Sequence, residues 1–203
     1  MEPWKTLSSV AAPLLIESID TDVISPMKRM LEGGDAIVKY AFEPLRYRAD
    51  GSLNPDFVLN QAAYRDARIL LAGPNFACGS SRETAVWAIA GLGLRCVIAP
   101  SFGDIFFKNC FQNGVLPIVL PLREVEALAA EASTGELRVD LERCELVTSS
   151  GRNLPFAVHP FRRRALLAGL DDIDATLERG SEISSFQTRD ALVRPWVYPA
   201  SQR

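Results

Sequence analysis

The stretch RILLAGPNFACGSSRETAVWAIAGLGLRCVIAP (residues 68–100) decides how the chain is read. It opens with a short apolar run ending at Gly73, which suits a buried strand. A loop with two glycines, two adjacent serines and an arginine follows. A helix is expected from about Arg82 to Gly91, with Ala85, Val86, Ile89 and Ala90 on one face. RCVIAP then reads as a second buried strand. A strand running through a glycine-containing loop into a helix aims free backbone N–H groups, and the positive end of the helix dipole, at whatever occupies the loop.

Beyond this stretch the alternation continues. SFGDIFFKNCFQNG is expected to be a helix opening at Ser101 and stopping at Asn113-Gly114, where the chain turns left-handed. VLPIVLP is a third strand, LREVEALAAEAS a surface helix, and ELRVDLERCELVTSSG alternates like a hairpin. Strand, helix, strand, helix, strand is the pattern of crossovers in a parallel sheet. With the hairpin and NLPFAVH added, the expectation is an α/β fold with a mixed, partly parallel sheet and flanking helices. PFRRRALLAGLDDIDATLERGSEISSFQTRD (residues 160–190) reads as short helices separated by Gly169 and Gly180. The tail VRPWVYPA is too rich in proline for regular structure. No repeat or low-complexity linker interrupts the chain, so one domain over residues 1–203 with a C-terminal helical segment is expected.

Composition narrows the function classes. A chain of 203 residues buries roughly 70% of its unfolded surface, enough for one substantial core. Its 22 basic and 25 acidic residues leave a net charge of -3, which favours neither nucleic acid nor an anionic membrane as partner. The run Arg162-Arg163-Arg164 reads as the solvated face of a short helix. Cys78, Cys96, Cys110 and Cys144 form no C-x-x-C pair, and His159 is the single histidine, so no metal-ligand spacing is present. The thiols are expected to be reduced. The N-terminal apolar run carries acidic residues and a proline, unlike a secretory signal. A cytoplasmic setting is the expectation.

The loop admits several identities. A phosphate-binding P-loop needs a lysine where Ser80 stands, and Gly73 and Gly79 are one residue too far apart. A serine triad would need His159, far along the chain and followed by Pro160. Ser80 and Glu83 have capping-box spacing, which would serve the helix and nothing else. That reading leaves Arg82 unexplained, because a cation in the first turn opposes the dipole by a few tenths of a kcal/mol. A bound carboxylate reverses the sign, each charge-assisted hydrogen bond being worth about 1.5 to 3 kcal/mol.

At this point the chain resembles a known family. The segment from GPNFACGSSRE to NGVLPI is similar to the core of 3-isopropylmalate dehydratase small subunits, the swivelling β/β/α domain of the aconitase superfamily. SIDTDVISP (residues 18–26) resembles the family's N-terminal motif, NPDFVLN (54–60) the segment before the core strand, and LLAGLDDIDATL (166–177) its C-terminal helix pair. The resemblance spans about residues 14–186 and implies a hydro-lyase that isomerises 2-isopropylmalate and 3-isopropylmalate in leucine biosynthesis. It implies no cofactor in this chain and a [4Fe-4S] cluster in a separate large subunit, with a small dicarboxylate substrate between them. By residue match, Ser80 falls on the catalytic base and Asp22 on an acidic catalytic position that orients its neighbours. Gly79, Ser81 and Arg82 fall on substrate-binding positions. Thr84 stands where the family usually has histidine.

Substrate choice within the superfamily is expected to rest on SPMKRMLEGGD (residues 25–35). Met27, Met30 and Leu31 offer adaptable apolar surface for a branched alkyl group. Lys28 and Arg29, if turned to the site, would instead favour an extra carboxylate, as in a homoaconitase-type enzyme; citraconate or dimethylmaleate hydration is a further alternative. Outside enzymology, a non-catalytic carboxylate-binding module has the same loop.

Overall fold

A computed structural model describes every residue except 31, 33, 34 and 199–203. The chain divides into two compact units, Met1–Gly169 and Leu170–Arg203.

In the first unit, strands β1 (Thr6–Ser9) and β2 (Ala11–Leu14) are followed by four short helices, α1 (Thr21–Ile24), α2 (Met27–Met30), α3 (Asp35–Lys39) and α4 (Glu43–Arg46). Then come β3 (Ile69–Ala72), α5 (Glu83–Gly91), β4 (Cys96–Ala99), α6 (Asp104–Gln112), β5 (Leu116–Val119) and α7 (Leu122–Glu131). Strands β6 (Leu137–Asp140), β7 (Glu145–Val147) and β8 (Asn153–Pro155) and helix α8 (Pro160–Ala168) complete it.

The strands form two four-stranded sheets. β2-β3-β4-β5 is parallel throughout, and β1-β6-β7-β8 is antiparallel. The expected α/β class is thus realised with the hairpin and its neighbours gathered into a sheet of their own. β2 was not legible as a strand because Pro13 interrupts it. As an edge strand it tolerates the lost donor, and Pro117 sits likewise in the opposite edge strand, β5.

The period of two explains why ILLA and CVIA are apolar at every position. Leu70, Ala72, Val97 and Ala99 enter a core with Ala85, Val86 and Ile89 of α5 and Phe106 and Cys110 of α6. Ile69, Leu71, Cys96 and Ile98 enter a second core with Val125 and Leu128 of α7 and Leu7, Val139 and Leu146 of the antiparallel sheet. A sheet covered on both faces cannot alternate with polar residues. The layers are therefore helices, parallel sheet, antiparallel sheet, with α7 lying across β2, β3 and β4. Among the described residues no helix is long and apolar enough to cross a membrane.

The first-unit helices end much as the residues suggest: α6 stops at Asn113 with Gly114 at φ 72, and α8 at Gly169 with φ 71. α6 starts at Asp104 rather than Ser101, because Ser101 and Phe102 hold the β3 loop: the Phe76 amide donates to the Ser101 carbonyl at 3.0 Å. The second unit carries α9 (Asp172–Leu177), opened by a capping box between Asp171 and Asp174, then α10 (Gly180–Val193) and a 3-10 turn at Pro195–Val197.

Gly73, just after β3, tests this arrangement. A Cβ there would lie 2.3 Å from the carbonyl oxygen of Ile16, whereas one on Gly93, at φ +88, would meet nothing within 4 Å. Gly73→Ala should therefore cost about 2 to 3 kcal/mol in urea unfolding, since two backbones must part. Gly93→Ala should cost about 1 kcal/mol, the conformational term alone. Equal losses would rule out the close approach.

Candidate active site

Because β2, β3 and β4 are parallel, the loops after them meet at one edge of the sheet. The β3 loop lies between the other two: the Ala77 amide donates to the Ile19 carbonyl at 2.7 Å, and the Gly103 amide to the Phe76 carbonyl at 2.9 Å. Asn75 and Ala77 both adopt φ 56, a conformation that costs non-glycine residues about 1 to 2 kcal/mol each. These cross-loop bonds hold them there. A Cβ on Gly103 would lie 2.3 Å from the Ala77 carbonyl oxygen, so this approach too depends on glycine.

The chain then turns through Gly79 at φ 88 and presents Ser80 and Ser81 to solvent. Thr21 pins this turn, its amide donating to the Cys78 carbonyl at 2.9 Å and its hydroxyl to the Ser80 carbonyl at 3.0 Å. α5 consequently begins only at Glu83, with Arg82 as N-cap and no side-chain cap. The capping-box reading of Ser80 and Glu83 is thereby overturned: the Ser80 carbonyl is taken by Thr21, and Ser80 stands outside the helix. Glu83 instead accepts from Asn113 Nδ2 at 3.0 Å, tying α5 to the end of α6. Among the described residues, the amides of Glu83 and Thr84 and the hydroxyls of Ser80 and Ser81 make no hydrogen bond.

Arg82 is buried, its side chain 7% exposed, and its charge is met by Asp22, which is 57% exposed. The two form a fork, Nη1 to Oδ1 at 2.5 Å and Nη2 to Oδ2 at 2.9 Å, and Nη1 also reaches the Ser25 carbonyl at 3.4 Å. Oδ1 accepts further from the Met27 amide at 3.2 Å. The Arg82 hydrogen bonds, then that of Met27, hold the Asp22 carboxyl below its ordinary value of 3.8, and Asp22 in turn raises Arg82. The electrostatic misplacement expected of Arg82 is thus relieved within the chain, by Asp22.

The sequence-derived residues fall in one place only in part. Asp22, Gly79, Ser80, Ser81 and Arg82 converge, and Met27, a residue 59% exposed, joins them through its amide. Met30 is described only by its backbone, and Leu31 lies outside the described residues. Lys28 and Arg29 are engaged elsewhere: Lys28 Nζ lies 3.3 Å from Glu43, and Arg29 forks onto Glu43 at 2.7 and 3.2 Å while stacking on Tyr40. They line an open cleft of about 720 Å³ with Tyr40, Glu43 and Tyr47, which contains no residue of the 73–82 loop. Thr21, Ser25 and Ser101 are structural members of the site that sequence reasoning passed over. Thr21 and Ser25 lay within SIDTDVISP, where the acidic residues drew attention first.

Thr84, in the first turn of α5, is 8% exposed and its hydroxyl has no partner. Cys96 and Cys110 are fully buried in different cores with their thiols pushed up by desolvation, and among the described residues no three His, Cys, Asp or Glu side chains gather as metal ligands.

The family model described as aconitase C-terminal domain matches residues 1–123. The 3-isopropylmalate dehydratase small subunit of Paracoccus denitrificans is 48% identical, covering 97% of this chain and 100% of its own length; that of Cereibacter sphaeroides is 49% identical over the same shares. The chain belongs to the 3-isopropylmalate dehydratase small-subunit family. A crystal structure of 3-isopropylmalate dehydratase from Methanocaldococcus jannaschii, 24% identical, superimposes with a TM-score of 0.66 over 89% of this chain and 98% of that one, in agreement with the fold. Within this small-subunit frame the Ser80 loop is a place on the surface where unpaired donors and hydroxyls meet.

The Asp22–Arg82 fork gives a pH signature. Asp22 titrates lower in the folded chain than unfolded, so its contribution is present above about pH 4 and is lost as pH falls through the folded value. Asp22→Asn should cost about 1.5 kcal/mol at pH 7, the low end for a charged hydrogen bond because the carboxylate is more than half exposed. The gap between wild type and variant should narrow as pH falls below about 4, as read from urea melts at several pH values.

Proposed function

We propose that this chain is the small subunit of a two-chain hydro-lyase that interconverts 2-isopropylmalate and 3-isopropylmalate by dehydration and rehydration. The observation that carries the site assignment is the exposed, unpartnered Ser80 hydroxyl, presented beside the free amides that open α5. Ser80 acts as the base that takes the proton from the carbon beside the substrate carboxylate.

A serine hydroxyl is far too weak an acid for this in water. Its anion needs the helix amides, with their partial positive charge, in a site from which water is excluded. Ser80 and Ser81 are exposed here, so the excluding surface comes from a large subunit closing over the loop. The amides of Glu83 and Thr84 and the Ser81 hydroxyl receive a substrate carboxylate, with the Arg82 charge behind them. Asp22 holds the Arg82 guanidinium by both nitrogens, so its role is to position that charge. A [4Fe-4S] cluster held by the large subunit would supply the polarisation of the substrate hydroxyl; the four cysteines of this chain have no C-x-x-C spacing.

The alkyl arm of the substrate is recognised by Met27. With Lys28 and Arg29 committed to Glu43, no cation of this segment is left to greet an additional carboxylate.

Ser80→Ala in the reconstituted complex should lower kcat by at least 100-fold, while unfolding free energy stays within about 0.5 kcal/mol, because the hydroxyl caps nothing. Near-normal turnover would overturn the base assignment. Met27→Ser should reduce kcat/KM for isopropylmalate by roughly 10-fold or more relative to citraconate, the loss of apolar contact that distinguishes a branched arm from a methyl group. Equal losses would remove Met27 from substrate recognition.

A further inference from the structure

The local sequence favours a start for α5 that the structure does not use. Ser80 and Glu83 have capping-box spacing, and with Ser80 as N-cap its carbonyl would accept from the Thr84 amide, the first bond of the helix. Instead α5 opens at Glu83, with Arg82 as N-cap in an extended conformation at φ -126, ψ 109. The Ser80 carbonyl is taken from outside the helix. The hydroxyl of Thr21, a residue 2% exposed, donates to it at 3.0 Å.

Thr84 bears the consequence twice. Its amide makes no hydrogen bond among the described residues. Its hydroxyl, on a residue 8% exposed, has no partner either. A helical threonine ordinarily donates its hydroxyl to the carbonyl three or four residues back, and four residues back from Thr84 is Ser80. Both donors of one residue are left over, and the acceptor that would suit both is the one Thr21 holds. A buried donor without an acceptor is costly, so stability is given up where the helix start stays open.

Two other links join α1 to the same turn, and each acts elsewhere. The Thr21 amide donates to the Cys78 carbonyl at 2.9 Å, which fixes the chain before Gly79 rather than after it. The Asp22–Arg82 fork grips the far end of a long side chain, with several rotatable bonds between it and the backbone. The Thr21 hydroxyl, by contrast, bonds the backbone itself between Gly79 and the helix.

We propose that the Thr21 hydroxyl is a positioning group for the reaction. By holding the Ser80 carbonyl it stops α5 from winding back to Ser80, which keeps the Ser80 hydroxyl and the Glu83 and Thr84 amides available to the substrate. The proposal rests on the hydro-lyase reading above, in which those groups meet the substrate; Thr21 touches none of the reacting atoms.

The test compares Thr21→Val, which keeps the branched shape and the backbone bond to Cys78 but lacks the hydroxyl, with Thr21→Ser, which retains it. Exchange of the Thr84 amide is followed by NMR in the chain alone, together with the melting temperature, and kcat and KM are measured in the complex with the large subunit. In Thr21→Val the Thr84 amide should exchange about 10-fold more slowly or slower still, because it gains the Ser80 carbonyl. At the same time kcat should fall about 10-fold or more, with the melting temperature unchanged or raised. Thr21→Ser should match the wild type in all three. Unchanged exchange in Thr21→Val would show that the Asp22–Arg82 fork alone sets the start of α5, and would overturn the proposal. Slower exchange with unchanged kcat would overturn it as well, since the helix start would then not matter to the reaction. A lowered melting temperature with kcat lost equally in both variants would make Thr21 a packing residue only. A wild-type complex that does not turn over isopropylmalate would sink the functional reading and the role in the reaction with it, while slower exchange in the isolated Thr21→Val chain would still support the hold of Thr21 on the helix start.

Discussion

A guanidinium buried to the extent of Arg82 is tolerable only when its charge is met, and Asp22 meets it with both oxygens. That pair joins two segments 60 residues apart, α1 and the entrance to α5. Thr21 adds two hydrogen bonds from the same short helix to Cys78 and Ser80. The shape of the Ser80 turn therefore depends on α1 being where it is. α1 is held by its own N-cap, Asp20, which accepts from the Val23 amide at 2.8 Å.

The same constraint decides what the helix N-terminus is free to do. Had Ser80 capped α5, its oxygen would have been taken up by one of the first amides and fewer donors would have been left for a ligand. Because Thr21 draws the Ser80 carbonyl away, the helix starts late and its first amides stay open. Stability is sacrificed locally, since an absent cap costs about 1 kcal/mol, and a polar site is left at the sheet edge. Departure from the best local structure at a functional position is a general feature of folded chains.

The parallel sheet supplies the rigidity on which this rests. Its strands are buried on both faces, between a helical core and a core shared with the antiparallel sheet, so the loops at their carboxyl ends spring from fixed points. Two glycines, Gly73 and Gly103, let those loops approach backbone to backbone. The 25–35 segment is anchored differently, through Glu43 to Lys28 and Arg29, which separates its cations from the Ser80 turn although Met27 remains beside it.

Much of this was determined by the sequence alone. Uninterrupted apolar runs specified β3, β4 and β5, the Asn113-Gly114 and Gly169 stops were visible, and the order of motifs pointed to the family. These are local signals, carried by side-chain period and by the φ that glycine permits. Tertiary structure decided the rest. β2 was hidden by Pro13, which only its edge position excuses, and the separation into two sheets depends on pairings between residues as distant as Thr6 and Asp140. The partner of Arg82, the displacement of Glu83 to Asn113 and the pairing of Lys28 and Arg29 with Glu43 all come from contacts between segments that no spacing rule connects. A charge in a sequence shows that a partner is needed; which partner it finds is settled by the fold.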